Sequence, residues 1–177
     1  MRKLIVYLSL VFVAIVMAGI YGAVHNQLSY TISSEYFTKF KLYQFGYLDA
    51  QVPERIRASL VGIRASWWMG FPISLLAGFP GFIHPDHKKM LRVSIQAFLV
   101  ALAFTFIFGL GGLLYGFWQT SNLDISAFSD WYLPFGLEDP RRFICAGYMH
   151  NSTYLGGILS IPISWIYHVY ARYRTDI

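Results

Sequence analysis

The sequence predicts an all-α membrane protein, with four transmembrane helices and a short interfacial helix in the first outer loop. Hydrophobic residues make up 56% of the 177-residue chain and charged residues only 13%, whereas a soluble domain has roughly a quarter charged residues. Four apolar runs reach the roughly 20 residues that are needed to cross a bilayer. No polar stretch is long enough for a second domain, so residues 1–177 are expected to form a single integral membrane domain.

The predicted spans cover residues about 4–24, 55–83, 91–118 and 144–170. The first run has no charged residue and follows Arg2 and Lys3, which is typical of a signal anchor that is retained rather than cleaved. Pro72 and Pro80 are expected to kink the second span, because proline cannot donate a backbone hydrogen bond. The third span is rich in glycine at its far end, which favours close contact with another helix.

The interfacial helix is predicted from Glu35 to Tyr43, within the polar stretch that follows the first span. Ser33 precedes it as a typical N-cap residue. Aromatic residues recur in it at spacings of three and four, which places on one helical face Tyr36, Phe37, Phe40 and Tyr43. Such a helix is expected to lie at the level of the lipid headgroups, where aromatic side chains are enriched.

The distribution of charge predicts that both termini lie in the cytoplasm. One side of the predicted topology has seven basic residues against two acids, and its basic residues sit in short flanks of the spans: Arg2, Lys3, Lys88, Lys89, Arg92, Arg172 and Arg174. The other side has seven basic and seven acidic residues, mostly in long loops. Because short basic flanks favour the cytoplasmic side, we expect an N-in and C-in protein. The same placement argues against a nucleic-acid surface, despite the net charge of +5.

A possible internal repeat relates the two halves of the chain. Tyr21-Gly22 near the end of the first span is matched by Tyr115-Gly116 near the end of the third. Phe71-Pro72-Ile73-Ser74 in the second span is matched by Ile161-Pro162-Ile163-Ser164 in the fourth. Two helical hairpins related by an axis along the membrane normal would produce these matches, although short apolar matches also arise by chance.

A metal centre at the outer face is the first functional hypothesis. His25-Asn26 follows the first span and His150-Asn151 opens the fourth, so both pairs are expected at the same level of the bilayer. His25, His150 and the carboxylate of Glu35 would form a set that suits zinc or non-haem iron. Hydrogen bonds to these ligands are expected from Asn26, Tyr30, Asn151 and Tyr154. Alternatives are two interfacial histidines without a cofactor, or a haem held by the same two histidines.

Arg57 and Arg64 lie on one face of the second span, and Arg64 is about two turns inside the apolar run. A charge inside a span needs a partner, and Glu35 is the first choice as the acid that holds Arg64. The alternative is an arginine whose stem extends outward to the interface. His84, Asp86 and His87 are interpreted as an ordinary polar turn and His168 as an interfacial residue.

No glycine-rich phosphate loop, nucleophile elbow, HExxH or CxxC motif is present. The second functional hypothesis is therefore a non-catalytic accessory subunit of a larger membrane complex, with a haem- or quinone-associated electron-transfer subunit as a further alternative. Its partners would be membrane lipids and either other membrane subunits or further copies of the chain. The aromatic and glycine-rich helix faces are the reason, because four helices bury little surface among themselves.

Three segments carry a resemblance to a known family: HNQLSYTISSEYFTKFKLYQFG, IHPDHKKM and GYMHNSTYLGGI. Together they resemble a family of small uncharacterised bacterial membrane proteins, and the resemblance extends over most of the chain. It implies a four-span protein of the bacterial cytoplasmic (inner) membrane in which the two His-Asn segments are the distinguishing feature. It implies no activity, cofactor or substrate.

Overall fold

The computed structural model describes residues 1–174, which form helices and no strands. The four long helices are α1 (Arg2–Ile32), α3 (Glu54–Gly78), α4 (His87–Gln119) and α5 (Pro140–Tyr173). Between α1 and α3 lies α2, a continuous run of three pieces, Ser34–Tyr36, Phe37–Lys41 and Leu42–Phe45, of which the middle one is a π-helical turn. Short 3-10 segments follow at Phe79–Ile83 and Ile125–Phe128. The prediction of an all-α protein is confirmed.

Three helical stretches are long and apolar enough to cross a membrane: α1, α3 with its 3-10 extension to Ile83, and α4. They correspond to the first three predicted spans. Helix α5 has 34 residues and is therefore as long as these helices, but it is more polar. Helix α1 continues to Ile32 rather than ending near Val24, so His25 and Asn26 belong to the helix and not to the following loop.

Helices α1 and α3 pack as an antiparallel hairpin in which the two backbones touch. A Cβ atom added to Gly22 would lie 2.2 Å from the Gly62 carbonyl oxygen, and one added to Gly62 would lie 2.1 Å from the Gly22 oxygen. Further along the seam, a Cβ on Gly70 would lie 2.8 Å from the Ala18 side chain. Only glycine permits such an approach, because any other side chain would occupy the space of the facing backbone.

Helices α4 and α5 form a second antiparallel hairpin with a similar seam. A Cβ atom on Gly112 would lie 2.1 Å from the Ser152 hydroxyl, and one on Gly109 would lie 2.3 Å from that of Thr153. Gly109, Gly112 and Gly116 near the end of the third predicted span therefore serve close helix contact, as the sequence predicts, whereas Gly111 faces open space.

The two hairpins lie side by side, so that each end of the bundle is built from both. The loop end contains α2 and residues 120–139. The basic end contains the start of α1, the turn at residues 84–86 and the end of α5. There the Lys3 ammonium donates to the carbonyl oxygens of Phe82 and His84, and Asp86 caps α4 by accepting from the backbone N–H of Lys88 and Lys89.

At the loop end, α2 turns its aromatic residues into the protein. Tyr36 and Phe37 are buried, and Tyr36 packs against Phe143 of α5 with ring centroids 5.2 Å apart. Phe40 is partly buried, whereas Tyr43 is exposed. Three of the four aromatic residues predicted to share a face, Tyr36, Phe37 and Phe40, thus pack against the loop end of the bundle instead of facing the headgroups, and Tyr43 does not join them.

Candidate functional site: two buried histidine pairs and a central cavity

The loop-end pair consists of His25 on α1 and His150 on α5. Their rings meet edge to face, with centroids 4.7 Å apart, and the side chains are 3% and 8% exposed. His25 Nε2 lies 3.0 Å from the Thr153 hydroxyl, and His150 Nε2 lies 3.1 Å from that of Ser29. The two histidines that the sequence places at one level therefore touch each other.

The residues predicted to support these histidines have different surroundings. Asn26 is buried, donates to the Ala58 carbonyl oxygen at 2.9 Å and places its amide oxygen 3.5 Å from His25 Nδ1. Asn151 is exposed on α5, so the two His-Asn pairs are not equivalent. Tyr30 donates to the Glu54 carboxylate. Tyr154 lines the central cavity that is described below.

The carboxylate of Glu35 lies in a different network. It accepts hydrogen bonds from the backbone N–H of Glu138 and of Asp139, the latter at 2.8 Å, and from the ammonium of Lys39. Burial raises the pKa of Glu35, but these hydrogen bonds outweigh it and hold the pKa below its ordinary value. Glu35 thereby joins α2 to the segment that leads into α5.

The expected pairing of Glu35 with Arg64 is wrong. Arg64 is exposed on α3 and donates to the Phe45 carbonyl oxygen at 3.0 Å. Arg57, on the same face, donates to the Tyr47 carbonyl oxygen at 3.3 Å. Both guanidinium groups thus bind carbonyls at the end of α2, and Arg57 also lies 3.9 Å from the carboxylate of Glu54. Glu35 is left to the backbone of the other loop.

Within residues 1–174, no group of three or more His, Cys, Asp or Glu side chains is placed to hold a metal ion. The loop-end pair supplies two imidazoles, and the hydrogen bonds of Glu35 direct its carboxylate to residues 138 and 139. A haem bound by both histidines would have to lie between their rings, which are in edge contact in this arrangement.

The basic-end pair consists of His84, just before α4, and His168 on α5. His84 Nε2 and His168 Nδ1 are 3.0 Å apart, and the residues are 1% and 0% exposed. Their other ring nitrogens, His84 Nδ1 and His168 Nε2, are buried and have no hydrogen-bond partner among the described residues. His84 lies in the predicted polar turn, but its side chain and that of His168 are buried against each other instead of being exposed at the membrane surface.

A signal for the basic-end pair was present in the sequence. Ser160, Ser164 and His168 follow one another at four-residue steps, which places them on one face of α5, and all three are buried. A file of polar residues on one face of a long apolar helix indicates that the face is turned toward the protein rather than toward lipid. The partner His84 lies 84 residues away in the chain, so no spacing pointed to it.

A cavity of about 110 Å³ lies between the two hairpins and is lined by all four long helices. Most of its wall is apolar: Ala14, Met17, Ala18, Met69, Gly70, Ile73, Ala77, Phe98, Ala101, Leu102 and Gly157. Hydroxyl groups are contributed by Tyr21, Ser66, Ser74, Thr105, Thr153, Tyr154 and Ser160. The Tyr21 hydroxyl is buried and has no partner in the described chain. Thr153 connects the cavity to the loop-end pair through its contact with His25.

The side chains that line the cavity include no acid and no base. Charged groups lie instead at the ends of the bundle. At the loop end, burial lowers the pKa of Lys41 to about 8, and its ammonium lies 4.2 Å from the centroid of the Phe40 ring. The interior therefore offers hydrogen-bonding groups without net charge, which suits a neutral or weakly polar molecule.

Comparison of the chain with protein families, curated proteins and solved structures finds no match.

Proposed function

We propose that the protein crosses the bacterial cytoplasmic membrane four times and binds a lipid-soluble ligand in the cavity between its hairpins. The observation that carries the ligand proposal is the cavity itself, which is lined by residues of all four long helices. Concave, mostly apolar sites with a few polar groups between the helices of a bundle are typical of small-molecule sites.

Helix α5 supplies the fourth span in this proposal. It packs along α4 over its length, and its polar residues at 150, 160, 164 and 168 are buried in the bundle. The face that would meet lipid is apolar and includes Leu155, Ile158, Ile166 and Val169, all exposed in the isolated chain. Polar groups turned inward explain why a spanning helix has a modest overall hydropathy.

The chemistry of the cavity defines the class of ligand. Apolar walls require an apolar body, because polar atoms buried there without a partner would be costly. The hydroxyls of Tyr21 and Thr153 lie on the side of the loop-end pair and can bind one small polar group, such as a carbonyl or hydroxyl. Because Tyr21 has no partner in the described chain, a ligand acceptor or donor there would satisfy a buried polar atom.

Native mass spectrometry of gently extracted protein tests the ligand proposal. The wild-type protein should retain a small hydrophobic adduct, which organic extraction should release for identification. Ala101→Leu should lose the adduct, because Ala101 is buried in the cavity wall and the larger side chain fills the space. The matched control is Ala103→Leu on the same helix, at an exposed position. Wild-type protein without an adduct, or an adduct that survives Ala101→Leu, would contradict the proposal.

The accessory-subunit hypothesis is favoured by a separate observation at the loop end. Phe135 is 104% exposed, beside Gly136, whose φ of 72° forms the turn, and Tyr132 is also exposed. Exposed aromatic side chains outside the spans are typical of contact surfaces. A protein purified in mild detergent as a lone monomer would contradict this function, whereas a larger assembly that dissociates in Phe135→Ser would support it.

The metal centre inferred from sequence stays a prediction. Two buried imidazoles in contact are its remaining basis, and any further ligand would have to come from outside the described side chains.

A further inference from the structure

The hydrogen bond within the basic-end pair leaves one nitrogen of each ring without a partner among the described residues. A neutral imidazole has one N–H and one bare nitrogen. If His84 Nε2 donates to His168 Nδ1, then the N–H of His168 lies at Nε2, where it has no acceptor, and His84 Nδ1 is a bare acceptor without a donor. The opposite tautomers reverse these roles. Either way, one buried donor and one buried acceptor stay unpaired among the described residues, at a cost in stability.

We propose that the basic-end pair is a proton relay between the basic end of the bundle and its interior. The hydrogen bond joins the two imidazoles, and each ring keeps one nitrogen free on the far side. This is the arrangement that a relay requires: one free nitrogen to take up a proton and another to release one. Histidine is suited to this role because it exchanges protons near neutral pH.

The step conserves protons and needs no other reactant. A proton binds at His84 Nδ1, the proton on His84 Nε2 moves across the 3.0 Å hydrogen bond to His168 Nδ1, and the proton on His168 Nε2 leaves. One proton enters and a different one departs, while both rings end neutral in the opposite tautomers. The reverse sequence resets the pair and carries a proton the other way.

The two ends of the relay lie in different surroundings. His84 belongs to the turn at the basic end, where the charged groups acting on it are Lys3, Lys89, Arg172 and Asp86. Burial, together with the three cations, lowers the pKa of His84, which opposes a lasting charge and favours transfer through it. On the other side, His168 shares one buried face of α5 with Ser164 and Ser160, and Ser160 lines the cavity.

The interior chemistry favours protons over metal cations as the species carried. The lining of the cavity has no carboxylate, and Ser160 and Ser164 donate to carbonyl oxygens at 2.7 and 3.0 Å. Each hydroxyl oxygen keeps lone pairs that can accept a hydrogen bond, and neither serine carries a charge that would bind a metal cation. Buried histidines inside membrane proteins are typical members of proton relays. The inference goes beyond the ligand proposal and does not require that a ligand be bound.

Nitrogen NMR of histidine-labelled protein in detergent micelles tests the relay. Two results are expected for the native protein: a coupling across the hydrogen bond between His84 Nε2 and His168 Nδ1, and two tautomers of each ring in exchange. After transfer into D₂O, the His168 imidazole proton should exchange through His84. His84→Gln keeps a side chain that can bind His168 Nδ1 but cannot pass a proton, so exchange at His168 should slow.

The matched control is His87→Gln, three residues away at the start of α4 and outside the pair, in which exchange at His168 should be unchanged. Backbone amide spectra establish that each variant is folded. A His168 exchange rate that His84→Gln leaves unchanged would overturn the relay. If His84→Gln does not fold, the native protein decides, because a single fixed tautomer without exchange would also overturn it.

Discussion

Glu35 joins two loops that are far apart in sequence, and it does so through backbone groups. Its carboxylate accepts from the N–H of residues 138 and 139, more than a hundred positions along the chain. The sequence suggests an arginine as the partner of Glu35, because charged residues can be recognised from the sequence alone. A backbone N–H is present at every residue except proline, so nothing in the residue types at 138 and 139 could identify them as donors.

Glu35→Gln should lower the free energy of unfolding by roughly 1–3 kcal/mol, because hydrogen bonds to a charged group are stronger than those to an amide. The measurement is thermal unfolding in a mild detergent. Glu138→Gln is the matched control, since it makes the same change in charge at an exposed position. Equal stability of the two variants would show that the carboxylate of Glu35 does not hold the loops together.

The effect of Glu35 should depend on pH in one direction. Its pKa in the folded protein lies below the ordinary value of 4.5, so its contribution is complete above pH 4.5 and is lost as the pH falls through the lowered pKa. The difference in melting temperature between native and Glu35→Gln protein should therefore be constant near neutrality and shrink in acid. A difference that grows in acid would contradict the assigned hydrogen bonds.

The contribution of Lys41 to stability should also rise with pH, but in alkaline rather than acidic solution. Burial holds its pKa at about 8, against an ordinary value of 10.5. Between these values the unfolded chain binds more protons than the folded protein, so the contribution of Lys41 to stability rises with pH. The melting temperature of the native protein relative to Lys41→Met should increase from pH 7.5 to pH 10. A difference that is independent of pH would mean that the ammonium is solvated.

At the scale of elements, contact between backbones holds each hairpin together. The α1–α3 seam brings Gly22 and Gly62 together more closely than any Cβ atom would allow. Such contact replaces the hydrophobic effect, which does not drive helices together in lipid.

Gly62→Ala should weaken the α1–α3 hairpin by about 1–3 kcal/mol, because the added methyl group meets the Gly22 backbone, which cannot move independently of its helix. Gly111→Ala on α4 is the control. A Cβ atom there meets nothing within 4 Å, so the change should be neutral or stabilise by up to about 1 kcal/mol through helix propensity. Thermal unfolding compares the two, and equal effects would contradict the described seam.

Hydropathy and glycine content predict much of the helix arrangement. Long apolar runs place α1, α3 and α4, and the glycines of α4 mark its packing face. What they do not give is the rotation of each helix about its axis. That rotation buries Asn26 and exposes Asn151, turns Arg64 outward, and brings His168 to His84. Each outcome depends on packing between helices that are distant in sequence. The four-residue spacing of Ser160, Ser164 and His168 marks an inward face of α5, but it does not identify the residue that this face meets.

For the whole molecule, the number of spans decides whether α5 crosses the membrane together with the other three helices. In the proposed four-span arrangement, the loop end faces outward and the basic end faces the cytoplasm, where short basic flanks belong. With three spans, α5 would lie along the membrane surface, and its buried polar residues would no longer lie between the hairpins.

Reporter fusions distinguish these arrangements. A fusion after Asn122, between α4 and α5, should behave as periplasmic, and a fusion after Ile177 should behave as cytoplasmic, because α5 crosses between them. Cytoplasmic activity after Asn122 would reverse the orientation. If both fusions report the same side of the membrane, α5 does not cross it, and the cavity does not lie at the proposed depth.

Each histidine pair takes one member from α5, and this has a consequence for how the protein is made. Synthesis delivers α1, α3 and α4 first, so the glycine seam of the first hairpin can close while His25 and His84 still lack their partners. During that interval the two imidazoles, one at each end of the bundle, lack the contacts that bury them in the finished protein. The packing of α5 onto the other three helices therefore completes both ends of the bundle in one event.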